Sequence, residues 1–184
     1  METAQLIAFL AFLVVATLVV LGVRTGGRLL ARTRIAEVFR GDVADLARRA
    51  EASFGAVSGR IDAVRRGELE PAEIGDNLVA AMDAAERYAA EARTLVGPST
   101  THPSRDAIVA ELERVGRALD MVDHGSRILA RVRHGDVDAE AQTSVKRGYL
   151  NLLHAREAIG RHAAEAIDLA EAASPVRRLG RRPT

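Results

Sequence analysis

Five histidines are the residues best suited to chemistry in this 184-residue chain: His102, His124, His134, His154 and His162. Helical bundles that hold paired metal ions use Glu-x-x-His on inward helix faces. Here the residues three before each histidine are Ser99, Met121, Arg131, Asn151 and Ile159, none of them acidic. His154 with Glu157, and His162 with Glu165, sit three apart and share a helix face. That face lies beside or away from the apolar stripe, as solvated polar surface does. Asp123 and His124 are neighbours, so on a helix they point in different directions. No glycine-rich loop follows a strand, no H-E-x-x-H occurs, and there is no cysteine to act as nucleophile or thiolate ligand. Outside the first 23 residues the aromatics are Phe39, Phe54, Tyr88 and Tyr149, too few for a base-stacking platform. The sequence therefore offers no catalytic, cofactor-binding or metal-ligating residues. The expectation is a protein that is not an enzyme, with no cofactor, no nucleic-acid partner and no evident small-molecule substrate.

What remains is arginine. Arg24, Arg28, Arg32 and Arg34 form one cluster; Arg177, Arg178, Arg181 and Arg182 form another near the end of the chain. Between them, residues 35–173 hold 18 basic side chains against 24 acidic ones. The net charge of +1 thus hides a mildly acidic middle between two basic flanks. Cations beside a membrane are drawn to anionic head groups, by about 1 kcal/mol each. These eight arginines are the candidate membrane-surface contacts.

The element that must position them is Leu6–Val23, LIAFLAFLVVATLVVLGV, with no charged residue. Eighteen helical residues rise about 27 Å, close to the roughly 30 Å hydrocarbon core of a bilayer. A cleaved leader wants a basic start, a shorter apolar core and a small-x-small exit; this stretch lacks the first two and leaves through Gly22-Val23-Arg24. We read it as a transmembrane helix. Arginines follow it and none precede it, so the positive-inside bias places the C-terminal side in the cytoplasm. The expected organisation is a short extracytoplasmic N-terminus (1–5), a transmembrane helix (6–23), a basic collar (24–34), a cytoplasmic helical bundle (35–173) and a basic tail (174–184).

Within 35–173 the apolar residues recur at helical spacing. Ile35, Phe39, Val43, Leu46, Ala50, Phe54, Val57, Ile61 and Val64 advance about 3.6 residues per step, one stripe on one helix. Ile74 to Val96, Ile108 to Leu129 and Val145 to Ala170 carry further stripes. Gly67 with Arg65-Arg66, Gly97-Pro98, Gly135 and Ser174-Pro175 mark the stops. The spacing predicts helices over about 35–66, 71–96, 104–134 and 137–173, with Ser104 as an N-cap and Gly41 as a possible break. Single-striped helices joined by short loops bury those stripes together. The expected fold is all-α: a single N-terminal transmembrane helix, then an antiparallel up-down-up-down four-helix bundle. Gly116, Gly148 and Gly160 border stripe residues and mark expected points of close helix approach.

The segment from Arg28 to Gly41-Asp42 resembles HAMP-type signal relays in placing a short helix and a Gly-Asp after a span. It lacks their early proline and has one span instead of the usual flanking pair, so the chain is not assigned to that family. The expected function is a single-pass protein-interaction or scaffold module at the inner face of a bacterial membrane. Its expected partners are the bilayer, anionic head groups, and a protein partner or a second copy. A membrane-linked relay, or an exported helical protein released by cleavage, are the alternatives.

Overall fold

A computed structural model describes residues 2–131 and 136–174, with side chains described for Thr17, 31–131 and 138–174. The described part is all-α, four helices packed as a bundle. They are α1 (Glu2–Arg65), α2 (Gly75–Thr94), α3 (His102–Arg131) and α4 (Asp136–Ala173). Short 3-10 turns, Pro71–Ile74 and Ser99–Thr101, precede α2 and α3.

Cross-helix pairs fix the direction of each neighbour. Arg49 reaches Glu91, while Ser53 Oγ lies 3.0 Å from Tyr88 Oη, so α1 and α2 run oppositely. Arg93 meets Glu113 between α2 and α3. Ser144 Oγ donates to the Met121 carbonyl at 3.0 Å between α3 and α4. Arg156 on α4 pairs with Glu51 on α1, and Arg65 lies 4.5 Å from the Tyr149 ring centre. The fourth helix therefore closes back on the first.

The core follows from the stripes. Phe39, Val43, Leu46, Phe54 and Ile61 from α1 meet Ile74 and Leu78, then Ile108, Leu112, Val115 and Leu119 of α3, and Leu152 of α4, all essentially inaccessible. Burying one such side chain favours folding by about 1.5–3 kcal/mol. Phe54 and Tyr88 stack edge-on, ring centres 6.0 Å apart.

The helix ends follow their local chemistry, and several differ from the sequence expectation. At the end of α1, Gly67 adopts φ +74°. Its N–H bonds Val64 and the Glu68 N–H bonds Ala63, at 3.0 and 2.9 Å, the paired bonds of a Schellman stop. Gly41 does not break α1; the helix runs through it. Pro71–Ile74 is a 3-10 turn, not the first turn of α2. Thr94 ends α2, with Leu95 extended at φ −62°, ψ 123°. That change of direction turns Leu95 inward and leaves Val96 75% exposed, opposite to the extrapolated stripe. Ser104 is not the cap of α3. The helix begins at His102, so Ser104 lies inside its first turn and is buried. At the start of the first stripe Ala36 is buried while Ile35 is 44% exposed. The loop covering this part of α1 meets it one turn later, at Phe39, against which Gly97 packs.

The glycines separate into two kinds. A Cβ on Gly148 would fall 2.6 Å from the Ala118 carbonyl oxygen and from Val122 Cγ2. One on Gly125 would fall 2.8 Å from the Ala141 carbonyl oxygen and 2.9 Å from Val145 Cγ2. These two hold α3 and α4 close together. Gly116 and Gly160 do not mark close approach, since a Cβ there meets nothing within 4 Å.

Candidate functional site

One end of the bundle gathers the features that the sequence marks for contact. The α1–α4 pairs match Arg156 to Glu51 and Ser58, and Tyr149 to Arg65. Equal rise along both helices sets Ser174 level with about residues 33–40 of α1. The chain therefore leaves α4 at the end where α1 enters the bundle. The α2–α3 connection is there as well, because Gly97 packs on Phe39.

Arg32 and Arg34 are exposed on α1 just before this end. Arg40, one residue past Phe39, is half-buried, and its Nε has no hydrogen-bond partner among the described residues. Arg105 donates to Asp106 and reaches the Leu95 carbonyl at 3.4 Å, which steadies the loop. Ile35, Val38 and Val96 are exposed at this end, at 44%, 54% and 75%. Val79 and Leu150 are the other large apolar side chains exposed among the described residues, and they lie elsewhere. Of the eight arginines expected at the membrane surface, only Arg32 and Arg34 are among the described residues. Arg24 and Arg28 lie outside the described side chains. Arg177, Arg178, Arg181 and Arg182 lie outside the described residues altogether. Of the Leu6–Val23 stretch only the Thr17 side chain is described, and among the described residues no helix is long and apolar enough to cross a membrane.

The opposite end carries a cleft of about 590 Å³ lined by Val64, Arg65, Arg66, Gly67, Glu70, Pro71, Leu129, Gln142, Val145 and Lys146. Its cations are largely answered by acids. Arg65 binds Asp62 Oδ1 at 3.0 Å, and Arg66 holds both Asp62 and Glu68. The Arg66 hydrogen bond keeps the Glu68 carboxyl below the usual range. Lys146, the single lysine of the chain, borders the rim. Nothing in this cleft pairs a nucleophile with a base.

The histidines do not converge. His102, His124 and His154 are exposed, and His134 lies outside the described residues. His162 is half-buried, with Nδ1 3.4 Å from Glu165 Oε2. Among the described residues no three His, Asp or Glu side chains group as metal ligands. Asp123, which the sequence places on α3 beside His124, is buried and pairs with Arg127 at 2.6 Å. Beside it Ser126 Oγ is buried with no hydrogen-bond partner among the described residues. The two line a shallow groove of about 340 Å³ between α2 and α3, together with Val79 and Asp76.

The apolar contribution at the first end escaped the sequence reading. Periodicity assigns Ile35 and Val96 inward and does not mark Val38. The available signal was Gly97-Pro98 directly after Val96, which ends helical phase before the stripe reaches that residue.

No protein-family model matches this chain, and neither the curated proteins nor the solved structures contain a match.

Proposed function

We propose that this protein is a single-pass, membrane-anchored helical bundle acting as an interaction or scaffold module at the inner face of a bacterial membrane. The observation that carries this reading is the shared end: α1 enters the bundle and α4 leaves it at the same level, as derived from the α1–α4 pairs. The two basic flanks of the sequence are therefore attached side by side. Leu6–Val23 supplies the span, and the arginines on both flanks supply attraction to anionic lipid. Residues 175–184 number ten, and extended chain covers up to about 3.3 Å per residue, enough to bring Arg181 and Arg182 back to the membrane exit and Arg177 and Arg178 part of the way.

The rest of the bundle is a binding body. Its surface is studded with arginine–carboxylate pairs such as Arg93–Glu113 and Arg161–Glu157, each worth at most about 1 kcal/mol to stability. Charged surfaces of this kind steer encounters and select partners. A protein partner or a second copy is the intended occupant.

Alkaline extraction of cell membranes tests the proposal. The chain stays with the lipid pellet, and mass spectrometry of the retained protein finds peptides from residues 2–23. Release into the supernatant, or a mature chain lacking those residues, overturns the anchor and returns the exported reading.

A further inference from the structure

Three of the five large apolar side chains exposed among the described residues, Ile35, Val38 and Val96, share one end of the bundle. Val96 precedes Gly97, and Gly97 packs on the ring of Phe39. Phe39 is one residue from Val38 and one turn from Ile35. The loop thus brings Val96 to the turn of α1 that carries the other two. Arg32 and Arg34 are exposed on the preceding turn. The body of the protein is acidic overall, yet this end offers apolar side chains flanked by cations, and the tail with its four arginines departs from the same level.

We infer that this end is a second membrane contact, in which Val96 of the α2–α3 loop and Ile35 and Val38 of α1 insert among anionic lipid head groups. The inference rests on the membrane-anchored reading above and adds an orientation to it. The committed partner is the bilayer surface. Charge complementarity favours it, because both basic flanks of the chain attach here. Apolar side chains beside arginines are the composition of interfacial segments, whose rings and methyls enter the head-group boundary while the guanidinium groups stay with the phosphates.

The contact constrains geometry. Ile35 lies twelve residues after Val23, about 18 Å along a straight helix. The head-group layer is only about 5–7 Å deep on each side. An upright bundle would hold Val96 clear of the lipid. α1 is one continuous helix through this interval, so the inference requires α1 to bend toward the membrane plane between Val23 and Ile35 once it is in the bilayer. Gly26-Gly27 falls in that interval, and glycine pairs are common sites of sharp helix bends.

The chain has no cysteine, so single reporters can be placed in the full-length protein. Val96→Cys and Val38→Cys, labelled with an environment-sensitive fluorophore, are reconstituted in vesicles of phosphatidylcholine and phosphatidylglycerol. Val79→Cys and Leu150→Cys serve as controls exposed elsewhere. The inference expects a blue shift and quenching by spin-labelled lipid at Val96 and Val38 but not at the controls. The signal is lost in vesicles of phosphatidylcholine alone. Labels at Val96 as unquenched as those at Val79 overturn it. Labels shielded from aqueous iodide yet unquenched by lipid also overturn it, and point to the tail or a second copy as the cover. A chain that fails to remain in the vesicles on alkaline washing contradicts the anchored reading itself, a result distinct from a well-inserted chain with a dry, unquenched loop.

Discussion

Along α3 and α4 the backbones approach so closely that one added methyl at Gly125 or Gly148 would collide with a carbonyl oxygen of the other helix. Between α1 and α2 the links are side chains, Arg49 to Glu91 and Ser53 to Tyr88, and Arg60 of α1 reaches the Glu73 carbonyl of the 3-10 turn before α2 at 3.3 Å. Between those links runs a shallow groove of about 270 Å³, lined by Ser53, Ala56, Ala80, Ala84 and their neighbours. The first seam is held by fitted surfaces and the second by reaching groups. Close backbone packing gives many small dispersion contacts and little freedom. Polar links across a partly wet seam are individually weak and respond to salt and pH. The difference makes α3–α4 the expected rigid half of this bundle and α1–α2 the expected adjustable half.

The comparison can be broken or sharpened by substitution, with stability read from chemical denaturation followed by helical circular dichroism. Phe54→Ala has the largest expected effect. Phe54 is fully buried and stacks on Tyr88, so its loss should cost about 3–5 kcal/mol. A much smaller loss would mean that the α1–α2 side can collapse around the cavity. Next come the glycines. Alanine normally stabilises a helix interior by about 1 kcal/mol over glycine, while overpacking costs about 1–3 kcal/mol. At Gly148 and Gly125 the obstacle includes backbone, so alanine should destabilise by about 1–2 kcal/mol. At Gly116 and Gly160, where the space is open, alanine should stabilise by about 0.5–1 kcal/mol. Equal signs at all four positions would remove the distinction between the seams.

Smaller effects belong to the polar links. Tyr88→Phe removes the hydroxyl facing Ser53 and should cost about 0.5–1.5 kcal/mol. The smallest is the Arg49–Glu91 pair, whose side chains are each 38% exposed. A double-mutant cycle should give less than about 1 kcal/mol, falling with added salt. Arg49 also hydrogen-bonds Asp45, and this bond, with a second from Arg48, holds the Asp45 carboxyl below its ordinary value of 3.8. A depressed carboxyl contributes stability above the unfolded value and loses it as pH falls through the lower, folded one. Melting temperature should therefore decline on acidification below about pH 4, and Asp45→Asn should flatten part of that decline.

How far the sequence could be read depended on whether periodicity held. The stripe from Phe39 to Val64 lies inward without exception, because a continuous helix preserves its phase across Gly41. Phase was lost where the helix ended early: Thr94 closes α2, so Leu95 takes the inward place that counting assigns to Val96. At the bundle edge phase held but burial did not, because Ile35 has outrun its covering loop. Of the three glycines expected at close approach, Gly148 is one, Gly116 and Gly160 are not, and Gly125 is a further one. All three expected glycines border stripe residues, but Gly148, like Gly125, also occupies the stripe, three after Val145 and Val122 and four before Leu152 and Leu129. Position in the stripe, not adjacency to it, was the available signal. The two arginine clusters were legible as composition, but six of the eight residues lie outside the described side chains, and the exposure of Val96 depends on a loop conformation that periodicity does not report.

The account turns on both flanks of the bundle meeting the inner face of one membrane. A pair of single-cysteine chains, Thr3→Cys and Thr184→Cys, probed with a membrane-impermeant thiol reagent tests this directly. The account predicts labelling of Thr3→Cys in intact cells, and of Thr184→Cys only after the membrane is permeabilised. Labelling of Thr184→Cys in intact cells would contradict the cytoplasmic placement and the function built on it.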